Sequence, residues 1–90
     1  MIENNFPKNY LGPVIKEYRT KRRVSQEKCI ELLRSYGVNI NRSRLSRIEN
    51  CRTCIWDYEV FAFFEALNIP RKELNRGVRK VKKILALRAR

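Results

Sequence analysis

The chain contains no histidine, which removes the side chain most often used as a general base at neutral pH and a common zinc ligand. Glycine is scarce, with three in 90 residues, and no glycine-rich stretch could cradle a phosphate. The nine acids are scattered, and no two carboxylates share a polar setting suited to acid–base work. No run of about 18 apolar residues exists, so no membrane-spanning helix is expected. The first residues lack a basic stretch followed by an apolar run, so no secretion leader is expected. Cysteine occurs three times, at Cys29, Cys51 and Cys54, an odd number that fits reduced thiols in a cytoplasmic protein better than a disulfide framework. Cys51-x-x-Cys54 is a single pair without a second pair or a histidine, whereas structural zinc takes four good ligands. These absences argue against an enzyme, and no metal, cofactor or small-molecule ligand is expected.

What the chain has in excess is positive charge. Lysine and arginine total 21 against nine acids, a net of +12. The excess is unevenly placed. Residues 1–18 are neutral, 19–52 carry +7, 53–70 carry −3, and 71–90 carry +8. Two basic blocks thus flank an acidic one. A polyanion is the natural partner, because lysine and arginine release condensed counterions from phosphates.

Periodicity predicts only helices. Residues 1–12 read as a turn-rich lead-in, and Pro13 suits the first turn of a helix over 13–22 carrying Val14, Ile15 and Tyr18. Ser25 caps a second helix over 25–36, with Cys29, Ile30, Leu33 and Tyr36 as its stripe and Gly37 closing it. Asn41 caps a third over 41–50. Only Leu45 and Ile48 are strongly apolar there, while Arg42, Ser43, Arg44, Ser46 and Arg47 fill the other faces. A fourth helix, with Asp57 as cap, presents Val60, Phe61, Phe64 and Leu67 to the core, and Asn68-Ile69-Pro70 breaks it. A short fifth helix over 71–76 buries Leu74, Gly77 interrupts, and a basic amphipathic helix occupies 77–90. No alternating strand pattern is present. The expected fold is all-α, a five-helix domain over 13–76 with a basic helical extension.

The stretches Ser25-Gln26-Glu27 through Leu33 and Asn41-Arg42-Ser43-Arg44-Leu45-Ser46-Arg47-Ile48-Glu49-Asn50 resemble the lambda-repressor-like helix-turn-helix family. The likeness continues through Asp57-Tyr58-Glu59 to Leu74. Cys51 and Arg23 stand where this family commonly has glycine. The connector after the second helix is longer than in its shortest members. The resemblance implies a sequence-specific regulator of transcription that binds double-stranded DNA, commonly as a homodimer on paired half-sites, with the third helix in the major groove. It implies base contacts from Arg42, Ser43 and Arg47, and a phosphate contact from Gln26 that also steadies the third helix. Arg44, Asn50 and Arg52 flank the groove-facing edge and are expected on phosphates. Arg19 and Glu49 match a family ion pair joining the first helix to the end of the third. The chemistry agrees independently, since arginine suits bidentate contact with guanine O6 and N7. The alternative is the same fold used as a protein-interaction module, such as an adaptor, an antitoxin-like protein or an inhibitor of a nucleic-acid enzyme. Leu74, Val78, Val81 and Leu85, widened by Ile84, form a stripe that fits a tail helix packed on its own domain, a dimer seam or a basic arm along DNA phosphates, and of these help with dimerisation on DNA is the expectation.

Overall fold

The computed structural model describes residues 7–88, without the side chains of Ile84 and Arg88. The outermost parts of the lead-in and tail expectations, and the place of Ile84 in its stripe, lie outside the described residues. The order is α1 (Gly12–Lys21), α2 (Gln26–Arg34), α3 (Arg42–Glu49), α4 (Asp57–Leu67), a single 3-10 turn (Arg71–Glu73) and α5 (Leu74–Arg88). No strand occurs among the described residues, and the fold there is all-α.

Local chemistry sets the helix starts. The Ser25 hydroxyl accepts from the Lys28 N–H, and the Asn41 side chain accepts from the Arg44 N–H. Each satisfies a donor that the first helical turn leaves free. Pro13 sits in the first turn of α1, as its missing N–H permits. At α4 the sequence expectation needs correction. Trp56, not Asp57, is the capping residue, and the Glu59 carboxylate folds back to accept the Trp56 N–H at 2.9 Å. Left-handed Gly37 (φ 82°) ends the turn after α2.

The core is one cluster. Val14, Ile15 and Tyr18 of α1 meet Cys29 and Leu33 of α2, Leu45 and Ile48 of α3, and Ala62, Phe63, Phe64 and Leu67 of α4. α1 packs on α3 and α4, and α2 packs on the same two helices. Fully burying each of the larger aliphatic or aromatic side chains contributes roughly 1.5–3 kcal/mol. The start of α1 lies directly on the end of α3: a Cβ at Gly12 would come 2.1 Å from the Ile48 carbonyl oxygen. Asn9 tightens this junction, accepting from the Gly12 N–H and donating to the Ile48 and Thr53 carbonyls at 3.1 and 2.8 Å. The described part of the lead-in, residues 7–11, therefore packs on the domain that it precedes.

Two expectations about the second half are corrected. Phe61 points outward and is 67% exposed, while Phe63 is fully buried in its place. The run Val60-Phe61-Ala62-Phe63-Phe64 is apolar on every side, so periodicity alone does not choose the inward face. Gly77 does not interrupt a helix, because α5 runs unbroken through it. It is buried against Tyr10 and Leu11, and that packing offsets the cost of about 1 kcal/mol for glycine inside a helix. An ionic cluster also ties α5 to α1. The Tyr18 hydroxyl donates to Glu73 at 2.6 Å, and Arg76 bridges Glu73 and Glu17.

Candidate nucleic-acid interface

α3 turns Leu45, Ile48 and Glu49 inward and leaves Arg42, Ser43, Arg47 and Asn50 exposed. Its outer face is thus polar and basic. The helix has no acid in its first turn, so nothing on it opposes an anion there. Arg47 donates to the Ser43 hydroxyl at 2.8 Å, one helical turn back, so these two side chains lie side by side.

Behind this face runs a continuous polar network. Arg19 donates through Nε to Glu49 at 2.6 Å and through Nη2 to the other carboxylate oxygen at 3.2 Å, a bidentate pair between α1 and α3. The side chains are only 11% and 2% exposed. The carboxylate beside Arg19 raises the guanidinium pKa further above its already high value. A third donation from Arg19 reaches the Val24 carbonyl at 2.8 Å. Gln26 extends the network from α2, donating to Glu49 at 3.3 Å and to the Ser46 hydroxyl at 3.2 Å. Its amide oxygen accepts from Arg42 at 3.2 Å, and Arg42 also pairs with Glu27 at 2.9 Å. Three helices are thereby held in one register, with Gln26 at the centre.

The expected site residues separate into groups. Ser43 and Arg47 stand together on open surface. Arg42 adjoins them but leans toward α2. Its bond to Glu27 is fully surface-exposed, of a kind worth no more than about 1 kcal/mol and therefore easily given up. Arg52 is exposed and makes no side-chain hydrogen bond among the described residues. Asn50 closes α3 by donating to the Ser46 carbonyl at 2.9 Å. Arg44, expected on phosphate, is instead engaged within the chain. It donates to both oxygens of Glu59 at 2.6 and 3.1 Å and to the Cys54 carbonyl at 3.0 Å. The cause is Glu59, which the first turn of α4 brings beneath α3 and which is itself buried. Arg44 is a brace across the α3–α4 loop.

No family model, curated protein or solved structure matches this chain.

Three residues that matter to the network are not marked as such by the sequence pattern. Glu59 and Ser46 hold Arg44 and Gln26, and Glu27 holds Arg42. Only Glu59 left a local trace, its position three after the cap of α4. Two backbone features are also informative. Arg23 and Cys51 adopt left-handed conformations, with φ of 59° and 62°. These are the positions at which the family resemblance places glycine, and both follow helix ends. Among the described residues, no three cysteines or acids are grouped to hold a metal ion, and no helix is long and apolar enough to cross a membrane. All three cysteines are free thiols.

Proposed function

We propose that this protein is a sequence-specific double-stranded DNA-binding regulator of transcription, with α2 and α3 as its helix-turn-helix and α3 as the element that enters the major groove. The observation that carries the reading is the Arg19–Glu49–Gln26 network. It fixes α3 against α1 and α2 and leaves Ser43 and Arg47 on an open face. A helix that reads bases needs such rigid support, because bidentate contacts tolerate little misplacement. Arg42, Ser43 and Arg47 contact bases. Asn50 and Arg52 contact phosphates, Arg44 positions α3 through Glu59, and Gln26, expected on phosphate, gives both amide N–H groups to Glu49 and Ser46 and positions α3 instead. On meeting DNA, Arg42 exchanges Glu27 for a base edge. The left-handed backbone at Arg23 and Cys51 supports the same reading, since it explains glycine at those places in proteins of the resembled family. Two copies occupy paired half-sites, because one short helix spans too few base pairs for strong specificity.

One observation favours the alternative of a protein-interaction module. Trp56, Tyr58 and Phe61 are each more than half exposed around the start of α4, and aromatic residues are enriched in protein interfaces. Equilibrium binding separates the two readings. A duplex selected from a random pool should bind at least ~10³-fold tighter than its scrambled counterpart at about 150 mM salt. Equal binding of the two duplexes would leave the protein-interaction reading in possession.

A further inference from the structure

We infer that Lys8 and Lys80 join Arg52 in a cationic corner at the end of α3, and that this corner grips the phosphodiester backbone beside the base pairs that α3 reads. The inference rests on the proposed duplex binding and extends it to two residues outside the helix-turn-helix. Three separate segments meet at this corner. The Lys8 N–H donates to the Cys51 carbonyl at 2.8 Å, and Asn9 donates to the Ile48 and Thr53 carbonyls. The segment before α1 is thus fastened to the loop that follows α3. Its next two residues, Tyr10 and Leu11, lie against Gly77 of α5, 3.7 and 3.5 Å from where a Cβ there would stand. About one helical turn beyond Gly77 is Lys80. Burial raises the Cys51 thiol above its ordinary pKa, and the Lys80 ammonium pulls it partly back, so that charge stands near the same loop. Arg52 completes the corner, its N–H bonded to the Arg47 carbonyl at 2.8 Å. The cations therefore begin where the open face of α3 ends.

All three residues are exposed, and among the described residues none of them forms an ion pair. The acids of the neighbouring helices are already engaged. Glu49 accepts from Arg19, Glu59 from Arg44, and Glu17 and Glu73 from Arg76. An anion arriving here has no internal carboxylate to displace, whereas Arg42 must first leave Glu27. Lysine is a point charge without the planar fork of arginine, so it suits a phosphate oxygen better than a base edge. Such contacts fix position and carry no sequence information. The backbone bordering the groove that α3 enters is the anion that adjoins this corner once Arg47 meets a base. A duplex offers one charge per about 1.7 Å of its axis, enough for three cations drawn from three segments. Lys82 provides an internal comparison. It follows Lys80 by two residues, which turns it about 160° around α5, and it lines the apolar groove on the other side.

The test measures duplex binding by the full chain against salt concentration for Lys8→Ala, Lys80→Ala and Lys82→Ala. Melting temperatures should be unchanged, because all three residues are exposed. Lys8→Ala and Lys80→Ala should each reduce the slope of log affinity against log salt by about 0.9, and Lys82→Ala should leave it as it is. On a selected duplex, ethylation of at least one phosphate outside the base pairs of the motif should hinder the native chain and not Lys80→Ala. Equal losses of slope for Lys80→Ala and Lys82→Ala overturn the proposal, since net charge alone would then account for both. Unchanged slopes for Lys8→Ala and Lys80→Ala overturn it as well. So does a Lys80→Ala variant that selects a different motif, or one that loses binding to phosphatidylserine vesicles while its duplex slope stays native. If the native chain prefers no duplex, the base-reading proposal falls, and the slopes on an unrelated duplex still decide the corner. If it binds no duplex at all, both fall.

Discussion

Replacing Glu49 by alanine should cost this protein a large share of its stability, and the size of the loss follows from what the carboxylate touches. Glu49 is 2% exposed at its side chain and accepts two bonds from Arg19 and one from Gln26. Truncation leaves the Arg19 guanidinium, itself only 11% exposed, with the Val24 carbonyl as its one remaining acceptor. Breaking a buried pair by removing one partner costs about 3–5 kcal/mol, because the other charge stays desolvated and unpaired. Small domains have only about 5–15 kcal/mol in total. At about 4–8 °C per kcal/mol for a domain of this size, the melting temperature should fall by at least about 12 °C. Glu31 is the control. It is a surface residue of α2, 66% exposed and paired, among the described residues, with Lys28 alone at 3.3 Å. Its replacement by alanine should change stability by no more than about 0.5 kcal/mol. The double variant Arg19→Met, Glu49→Leu should recover most of the loss, since an apolar pair removes the unpaired charge. Thermal unfolding followed by circular dichroism measures all three. Equal melting temperatures for Glu49→Ala and Glu31→Ala would refute the reasoning, and so would a double variant no better than the single one.

Three further outcomes are expected. Arg52→Ala should weaken selected and unrelated duplexes by similar factors and reduce the salt-dependence slope by about 1, as loss of one phosphate contact does; a change in base preference in a repeated selection would count against that role. Cys51→Gly should stabilise the fold by up to about 1 kcal/mol in urea titrations, because glycine relieves the left-handed backbone at φ 62°, and a destabilised variant would contradict the strain. In alkali, stability should fall as pH rises from 9.0 toward about 11, because burial pushes the Cys29 thiol up to about 11. The bond to Glu73 likewise raises the Tyr18 hydroxyl above its ordinary value of 10.0. Both groups are kept neutral by folding, so their contribution is complete below the unfolded values and is lost as pH climbs through the folded ones. Urea midpoints flat across this range would oppose the assignment, and Cys29→Ala should delay the onset.

Most of the first three helices was legible in the sequence because their signals are local. Ser25 and Asn41 are cap residues whose bonds close within three residues, and Leu45 and Ile48 mark the inward face of α3 without competition. α4 was harder. Its five consecutive apolar residues carry no period, and only packing against the other helices selects Phe63 over Phe61. The polar architecture was least accessible. Arg44 meets Glu59 from 15 residues away, and Tyr18 meets Glu73 from 55, so nothing in the neighbourhood of either residue announces its partner. Arg44 therefore read as one more surface arginine. Gly77 read as a helix breaker for the same reason, since its neighbour Leu11 arrives from the other end of the chain.

The central claim is that α3 reads bases through Arg42, Ser43 and Arg47. Parallel selections from one random duplex pool, with the native chain and with Arg47→Ala, test it most directly. The native chain should yield a defined motif. The variant should lose preference at particular positions of that motif while keeping the rest, and should bind the native motif with about 1–3 kcal/mol less free energy. An identical motif from both proteins, or no motif from the native chain, would contradict the account.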